Sequence, residues 1–358
     1  MRRSLAGVYG MHRASRNLDA AVKGVCGPQR SCLLFALFDF ALYAVGCGPT
    51  SFLITPVPTE RALVEHVVQR DSFWAHRKIA LIDVDGVITS GRPPSLLGGE
   101  EQNPIAVFRE KLDQAAKDKA VKALVLRIDS PGGGVTASDL MYTELKRFKA
   151  KTGKPIVAVL LDLAASGGYY IACAADRIYA LPTTVTGSIG VIMIAPEISG
   201  TMQKIGLKTN VIKSGEMKDA GSPFREMTEQ DRAVFTGMIR SMYERFVEVV
   251  AAARPGIEPE QLRKLADGRV YLAPQARELG LIDEVGSLHD AIAAAKQAAG
   301  LEGKDILVVE YALPSAHRPN VYAQTAGQPW QVNLINVELP AWLRDPAPQF
   351  LYLWAPGW

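Results

Sequence analysis

One stretch of the chain, residues 154–190, most constrains the fold. Within it, Ile156 to Leu161 is an apolar run rich in β-branched residues, the composition of a strand buried on both faces. Tyr169 to Ala175 is nearly all apolar and predicts a short helix. Ser166 and two glycines lie between these elements, so the turn from strand to helix carries a serine with little steric cover. Similar alternation over residues 78–300 predicts an α/β domain with parallel strands.

Other elements of that domain have recognisable start signals. Asn103 stands before a proline and predicts the cap of a helix. Thr228 opens a Thr-Glu-Gln-Asp sequence that resembles a capping box, so we expect a long helix from there to about residue 253. Two less regular segments are also assigned: we expect a short helix near Glu60 to Gln69 and a strand over Lys208 to Ile212.

The positive charge of the chain is concentrated at its beginning. The net charge is +3, and six basic residues against one aspartate put +5 into the first 30 residues. The body of the chain is therefore not a nucleic-acid binder by charge. Leu33 to Gly46 is an apolar run that is short for a membrane span of roughly 20 residues but fits the core of a signal peptide.

Small residues precede Cys47, as in a bacterial lipobox, so Cys47 is a candidate for lipidation and for the first mature residue. An uncleaved anchor is the alternative. We therefore expect residues 1–47 to be a signal peptide or N-terminal membrane anchor and residues 48–77 to be a Pro-containing tether. The α/β domain would occupy residues 78–300, and a Trp-rich extension would occupy residues 301–358.

The cysteines and histidines predict neither a disulfide framework nor a metal site. Only Cys47 and Cys173 would remain after cleavage of the leader, and Cys47 would carry lipid. Cys173 lies in an apolar helix, which is typical of a small core residue. No Cys/His cluster has the spacing of metal ligands. We therefore expect no metal and no cofactor.

Ser166 could be a nucleophile or merely the cap of the helix that follows it. A nucleophile needs a base, and none of the five histidines lies in a glycine-punctuated loop next to a strand end. Lys213 and Lys218 follow a predicted strand and are the alternative bases. A lysine acts as a base at pH 7 only when it is neutral, and burial can lower its pKa by about 3 to 5 units.

Asp129-Ser-Pro-Gly-Gly-Gly134 follows a second buried strand and is suited to holding an oxyanion. Glycines let backbone N–H groups approach a ligand closely, and the amide of Gly167, just after the serine, would supply a second donor. The sequence lacks the Gly-Lys-Ser/Thr ending of a P-loop, so nucleotide binding is disfavoured.

These motifs together resemble the signal peptide peptidase A (SppA) family. The resemblance covers residues 78–300 and rests on an ordered set of motifs: Asp129-Ser-Pro-Gly-Gly-Gly134, Ala165-Ser-Gly-Gly-Tyr-Tyr170, Thr186-Gly-Ser-Ile-Gly-Val191, Lys213-Ser-Gly with Lys218-Asp219, and Asp267-Gly-Arg-Val-Tyr271. It implies a ClpP/crotonase-like fold of repeated ββα units.

Position by position, the resemblance implies Ser166 as the nucleophile and Lys218 as the general base. It further implies that Ser188 orients the lysine and that Gly133 and Gly167 form the oxyanion hole. The length is similar to that of single-repeat members, where both catalytic residues lie in one protomer.

Together with this resemblance, the sequence predicts a membrane-attached serine endopeptidase with a Ser-Lys dyad, on the exported side of the bacterial cytoplasmic membrane. The resemblance implies apolar peptides such as cleaved signal peptides as substrates and further copies of the chain as partners in a homo-oligomer. The membrane surface is the other expected partner, and no nucleic acid is expected. A crotonase-type acyl-CoA enzyme and a non-catalytic membrane scaffold are the alternatives. The export signal argues against the first, and the ordered serine and lysine argue against the second.

Overall fold

The strand that precedes Ser166 lies inside a large sheet, flanked by neighbours on both sides. In the computed structural model, the described residues are 62–90, 103–314, 316, 318–323 and 349–354. The strands are β1 Val64–Arg70, β2 Arg77–Asp85, β3 Val121–Ser130, β4 Gly132–Gly134, β5 Ile156–Ala165, β6 Arg177–Ala180, β7 Val185–Gly187, β8 Ile192–Ile194, β9 Val270–Leu272, β10 Glu284–Val285, β11 Ile306–Ala312 and β12 Gln349–Leu353.

The helices fall mainly between these strands, as the α/β interpretation predicts. They are α1 Pro104–Lys117, α2 Val135–Thr152, α3 Gly167–Ala172, α4 Ser199–Lys204, α5 Glu229–Ala253, α6 Pro259–Leu265, α7 Ala273–Glu278 and α8 Leu288–Ala298. A 3-10 turn over Glu216–Asp219 precedes α5.

The larger sheet has the strand order β1-β11-β2-β3-β5-β6-β10, and β7 extends it by pairing with β5 and with β9. Neighbours from β11 to β10 run parallel, whereas β1 and β9 are antiparallel to their partners. A smaller sheet has the order β4-β12-β8. The parallel centre of the larger sheet brings the carboxyl ends of β3 and β5, and with them the glycine and serine motifs, to one edge.

The alternation of side chains along β5 explains why this strand is apolar on both faces. Ile156 and Leu160 belong to the core on one side of the sheet, together with Leu145 of α2. Val157 belongs to the core on the other side, together with Ile292 of α8. Helices therefore cover both faces of the sheet, as expected for a parallel sheet.

The predicted helix starts are confirmed. The side chain of Asn103 accepts hydrogen bonds from the N–H groups of Ile105 and Ala106 at the start of α1. Thr228 and Asp231 form a reciprocal capping box at the start of α5. Cys173 is buried, as predicted for a small core residue.

Two local predictions are wrong. The segment predicted as a helix over residues 60–69 contains β1, which pairs with β11 far along the chain, so the sheet extends beyond residues 78–300 at both ends. The segment Lys208 to Ile212 is not a strand, and all five of its residues are exposed. Its apolar residues therefore do not contribute to the core of this chain.

Within the described part of the chain, no helix is both long enough and apolar enough to span a membrane. Cys47 and the whole predicted leader lie outside the described residues.

Candidate active site

Ser166 occupies a strained turn between β5 and α3. Its backbone has φ 51° and ψ −112°, a region that non-glycine residues rarely adopt and that is often found at functional sites. Its N–H donates to the carbonyl of Gly187 at 2.8 Å, and the side chain is 1% exposed. Although it stands at the N-cap position of α3, its hydroxyl makes no capping hydrogen bond. The capping interpretation therefore does not explain this serine.

Ser188 lies beside Ser166 because their strands run in register. β7 is parallel to β5, with Ala165 opposite Gly187, and each serine is the next residue after its member of that pair. Ser188 also has a positive φ, of 50°, and is 6% exposed. Two strained, buried serines thus follow adjacent strand ends, which is consistent with the predicted role of Ser188 near the nucleophile.

The Asp267-Gly-Arg-Val-Tyr271 motif, which overlaps β9, positions the backbone of Ser188. The N–H of Ser188 donates to the carbonyl of Arg269 at 2.8 Å, and Arg269 donates to Asp267 at 2.8 Å. The hydroxyl of Tyr271 donates to the carbonyl of Leu265 at 2.9 Å and so fixes the end of the motif. The described contacts of this motif therefore fix the backbone conformation at Ser188.

The glycine strand β4 packs against the serine turn so closely that side chains are excluded. A Cβ on Gly132, where φ is 99°, would stand 2.7 Å from the backbone nitrogen of Gly167. A Cβ on Gly133 would stand 2.0 Å from the carbonyl oxygen of Ile88. The two glycines predicted to form the oxyanion hole, Gly133 and Gly167, therefore belong to backbone segments in close contact.

A buried residue beside β4 and Gly167 was not recognised as part of the site from the sequence. Ser138 in α2 is fully buried, and its hydroxyl donates to the carbonyl of Gly134 at 3.0 Å. A Cβ on Gly167 would stand 2.5 Å from that hydroxyl. Ser138 therefore fixes β4 and the turn after Ser166, but a single serine within a helix gave no signal of that role.

The two candidate lysines differ in their surroundings. Lys213 donates to the carbonyl of Glu216 at 2.8 Å and to Asp219 at 2.7 Å, so its ammonium group is already paired. Arg225, and secondarily Lys213, lower the pKa of the Asp219 carboxyl to about 2. Lys218 makes no side-chain hydrogen bond or ion pair with any described residue and is exposed. Between the two, Lys218 is the one available for chemistry.

Within one chain, the side chain of Lys218 makes no hydrogen bond to any described residue, Ser166 included. The recess lined by Lys218 is formed by residues 214–218 and Gln230, and it includes neither Ser166 nor Ser188. The lysine thus belongs to a surface segment, whereas the serines and glycines belong to the buried corner of the sheet.

The segment around Lys218, which we call the lysine segment and define as residues 196–240, exposes many apolar side chains. α4 has no buried residue, and Ile212 is fully exposed. The exposed large apolar residues of the segment are Ile205, Leu207, Val211, Ile212, Phe224, Val234 and Met238. Such a concentration is typical of a surface that another molecule covers.

No metal centre is found among the residues that the structure describes, where no three His, Cys, Asp or Glu side chains are grouped to hold an ion. The chemical groups found together beside the glycine strand β4 are two serine hydroxyls and the backbone amides of glycines.

Comparison with known proteins gives the family. Peptidase family S49 matches residues 148–302, which include Ser166, Ser188 and Lys218. A protein of Enterococcus faecium named for signal peptide peptidase SppA is 38% identical over 237 residues, which are 66% of this chain and 67% of that protein. The chain belongs to the SppA family of S49 peptidases. Its parallel-rich α/β sheet is the ClpP/crotonase-like fold of this family, as the sequence predicted.

Other relatives agree with this membership. A Synechocystis protein named as protease slr0021 is 38% identical over 226 residues, 63% of this chain and 76% of that protein. Protease 4 of Haemophilus influenzae is 34% identical over 220 residues, 62% of this chain but only 34% of that longer protein. Of the functions considered from the sequence, a peptidase is therefore the one that the family supports.

A solved structure of a mutant of the membrane-bound stomatin-specific protease 1510-N aligns with 61% of this chain and 84% of its own, at 15% identity and a TM-score of 0.35. That likeness is too low to bear on fold or function.

Proposed function

We propose that this SppA-family chain is a membrane-attached serine endopeptidase that hydrolyses apolar peptides such as cleaved signal peptides. The observation that carries the proposal is the strained, buried Ser166 held against the glycine strand β4. Among the described non-glycine residues, Ser166 and Ser188 are the two with positive φ, and strain at such a turn is common where a nucleophile must be presented.

In the proposed reaction, the Ser166 hydroxyl attacks the peptide carbonyl and Lys218 accepts its proton. The amides of Gly133 and Gly167 stabilise the oxyanion, and water then hydrolyses the acyl-enzyme. Ser188 orients the lysine. A lysine acts as a base only where its surroundings exclude water, and Lys218 is exposed in the single chain. The proposed reaction therefore requires another molecule that covers Lys218.

We further propose that a second copy of the chain in a homo-oligomer covers Lys218, so that the dyad spans two copies instead of lying in one protomer, as the length had implied. Lys218 lies on a segment rich in exposed apolar residues, and it makes no hydrogen bond to Ser166 within its own chain. Docking of the lysine segment on a neighbour would bury those residues and would bring Lys218 of one copy to Ser166 of another. The dyad would then form only in the assembly.

Membrane attachment is proposed from the sequence, through the apolar run Leu33 to Gly46 and the lipobox-like Cys47. The name of the Enterococcus faecium relative, signal peptide peptidase, supports apolar peptides as the substrate class. Attachment at the membrane would keep the enzyme close to such peptides.

The proposal is tested with Ser166→Ala and Lys218→Ala in the full chain, assayed on an apolar fluorogenic peptide. Each substitution should lower kcat by at least about 1,000-fold, because nucleophile and base act as one unit. Lys208→Ala is the matched control: this lysine is exposed in the same segment, and its loss should leave turnover unchanged. Undiminished cleavage by either dyad variant would disprove the mechanism.

A further inference from the structure

The 3-10 turn Glu216–Asp219, which we call the lysine turn, is not fixed by a hydrophobic core. It has no buried residue, and its backbone hydrogen bonds are local: the N–H of Lys218 donates to the carbonyl of Gly215 at 3.1 Å. A segment without buried apolar contacts opens easily unless polar groups hold it in place. The conformation of the lysine turn therefore depends on its side-chain contacts.

Two cationic side chains from outside the lysine turn bind to it. Lys213 donates to the carboxylate of Asp219 at 2.7 Å, and Arg225 donates to the same carboxylate at 3.0 Å. Arg225 also donates to the backbone carbonyl of Asp219 at 3.1 Å, and Lys213 donates to that of Glu216 at 2.8 Å. Both ends of the lysine turn are therefore held by hydrogen bonds from charged donors.

The guanidinium group of Arg225 also joins the lysine turn to the long helix α5. It donates to the two carboxylate oxygens of Asp231, at 2.5 and 3.2 Å. Asp231 is fully buried, and its carboxylate also accepts a hydrogen bond from the N–H of Thr228 in the capping box of α5. Because a planar guanidinium bonds carboxylates in a fixed geometry, Arg225 holds Asp219 and Asp231 in a defined relative position.

The helix to which Arg225 binds also carries part of the exposed apolar surface of the lysine segment. Val234 and Met238 are exposed, and they follow Asp231 by three and seven residues. This spacing places all three side chains on one side of a helix. Arg225 therefore connects the turn that carries Lys218 with a surface that we propose a second copy covers.

From these contacts we propose that Arg225 is a positioning residue for Lys218. Together with Lys213 it fixes the backbone of the lysine turn relative to α5, while the side chain of Lys218 stays free until a second copy covers it. The inference rests on the proposed peptidase function and deepens it, because it gives a role to Lys213 and Asp219, two motif residues that take no part in the proposed reaction. Arg225 makes no hydrogen bond to Lys218, so it acts on turnover through the backbone of the turn.

The kinetic test compares full-length chains at equal assembled mass, measured by light scattering. Arg225→Gln should lower kcat for an apolar fluorogenic peptide by about 30-fold and leave KM within about twofold, because the base is displaced while the serine and glycine motifs are unchanged. Arg225→Lys keeps the charge but not the planar fork, so kcat should fall by only about fivefold. Arg232→Gln is the matched control and should keep full activity, since Arg232 is exposed in the first turn of α5 and lies 3.8 Å from Glu229.

A double variant shows whether Arg225 acts through Lys218. In Lys218→Ala there is no base to position, so adding Arg225→Gln should change the residual turnover by less than about twofold. A further loss of about 30-fold in the double variant would mean that Arg225 acts independently of Lys218 and would overturn the inference.

Limited proteolysis separates this inference from the proposed function, because it needs no peptidase activity. Trypsin cleaves only where the chain opens locally, so cleavage after Lys218 should be at least about tenfold faster in Arg225→Gln than in the starting protein. Cleavage after Lys208, which is exposed earlier in the same segment, is the internal control and should be unchanged. Faster cleavage after Lys218 in a chain whose turnover does not depend on Lys218 would leave the contacts of Arg225 standing and would refute the peptidase mechanism.

Asp219→Ala covers the case in which Arg225→Gln fails to fold because buried Asp231 loses its partner. This variant leaves Asp231 paired with Arg225 and removes only the carboxylate on the lysine turn. It should lower kcat by about tenfold and speed tryptic cleavage after Lys218 by about the same factor. Unchanged cleavage after Lys218 in either folded variant, or an unchanged kcat in both, would overturn the positioning role of Arg225.

Discussion

The serine corner, which we define as Ser166, Ser188 and the glycine strand β4, differs in its construction from the lysine segment. Ser166 and Ser188 are buried, and their N–H groups donate to the carbonyls of Gly187 in β7 and of Arg269, next to β9. Lys218 is exposed on a 3-10 turn, within a segment whose large apolar side chains face solvent. One half of the proposed dyad is therefore preorganised by the fold of a single chain, and the other half is not.

This difference explains how an SppA-family chain could keep an inactive nucleophile until it assembles. A strained serine on a rigid sheet edge needs no rearrangement, because its neighbours are fixed by the core. A lysine base needs desolvation, which the exposed lysine segment cannot supply alone. The two regions should therefore respond differently to mutation: changes in the serine corner should alter the fold, and changes in the lysine segment should alter assembly.

The largest effect is expected from Gly132→Ala in the serine corner. The new Cβ would meet the Tyr352 carbonyl oxygen at 2.0 Å, at a residue whose φ is 99°. We expect a loss of at least about 2 kcal/mol in the free energy of unfolding and of at least about 100-fold in peptide turnover. Urea unfolding and the fluorogenic assay measure both.

Gly215→Ala in the lysine segment is the matched control for Gly132→Ala. A Cβ there would meet nothing within 4 Å, and the residue does not have positive φ. Its unfolding should be unchanged. Stability and activity of Gly132→Ala equal to those of this control would contradict the close packing described around Gly132.

Ile212→Asp should act on assembly rather than on folding. The side chain of Ile212 is 101% exposed, so the single chain should unfold as before, but a charge there would have to be desolvated on docking. We expect turnover to fall by about tenfold or more and the mass measured by light scattering to shift to smaller species. Phe73→Asp, at a side chain 79% exposed between β1 and β2, is the control. An unchanged mass and full activity in Ile212→Asp would show that the surface around Ile212 is not part of the interface.

Ser188→Gly removes the hydroxyl of Ser188 and leaves the backbone conformation in place. Glycine tolerates the φ of 50° without strain, so the free energy of unfolding should stay within about 1 kcal/mol of the starting protein. If Ser188 orients the lysine, kcat should fall by about tenfold with KM unchanged. A purely structural role predicts instead that stability and kcat change together or that neither changes.

Buried Glu310 in β11 should make the free energy of unfolding depend on pH in a way that the lysine segment does not share. Burial, and next the Asp83 carboxylate, raise the pKa of Glu310 from 4.5 to about 7, against the opposing effect of Arg127. The folded chain then binds more protons than the unfolded chain between these values, so stability falls as the pH rises from about 4.5 to 7 and levels off above. The loss is on the order of 3 kcal/mol.

Glu310→Gln should flatten this dependence between pH 5 and 8 in urea unfolding. Asp219 in the lysine segment should behave in the opposite way, because its pKa is lowered to about 2: its contribution is present above pH 3.8 and is lost as the pH falls toward 2. An equal slope for Glu310→Gln and the starting protein between pH 5 and 8 would contradict the raised pKa of Glu310.

The sequence was most informative where a local signal determines local structure. The Asn103 cap and the Thr228 capping box depend on neighbouring residues alone, and both formed as predicted. The buried composition of β5 and the Gly-Gly pair after Ser166 likewise predicted the strand, the turn and the short helix. Predicting these features requires no information about residues far away in the sequence.

Long-range pairing and surface exposure could not be predicted in this way. The sequence favoured a helix for β1 because its partner strand, β11, is more than 200 residues away. The apolar residues of Lys208 to Ile212 imitate a buried strand, yet they lie on the surface. The antiparallel pairing of β12 with β4 also depends on a distant contact, and no periodicity near Trp354 indicated it.

The most direct test of the account mixes two inactive full-length chains, Ser166→Ala and Lys218→Ala. If Lys218 of one copy serves Ser166 of another, mixed assemblies contain sites with both native residues. Unfolding and refolding the variants together should then restore up to about a quarter of the original turnover, whereas each variant refolded alone should stay inactive. A mixture that forms mixed oligomers but remains inactive would show that nucleophile and base must come from the same chain.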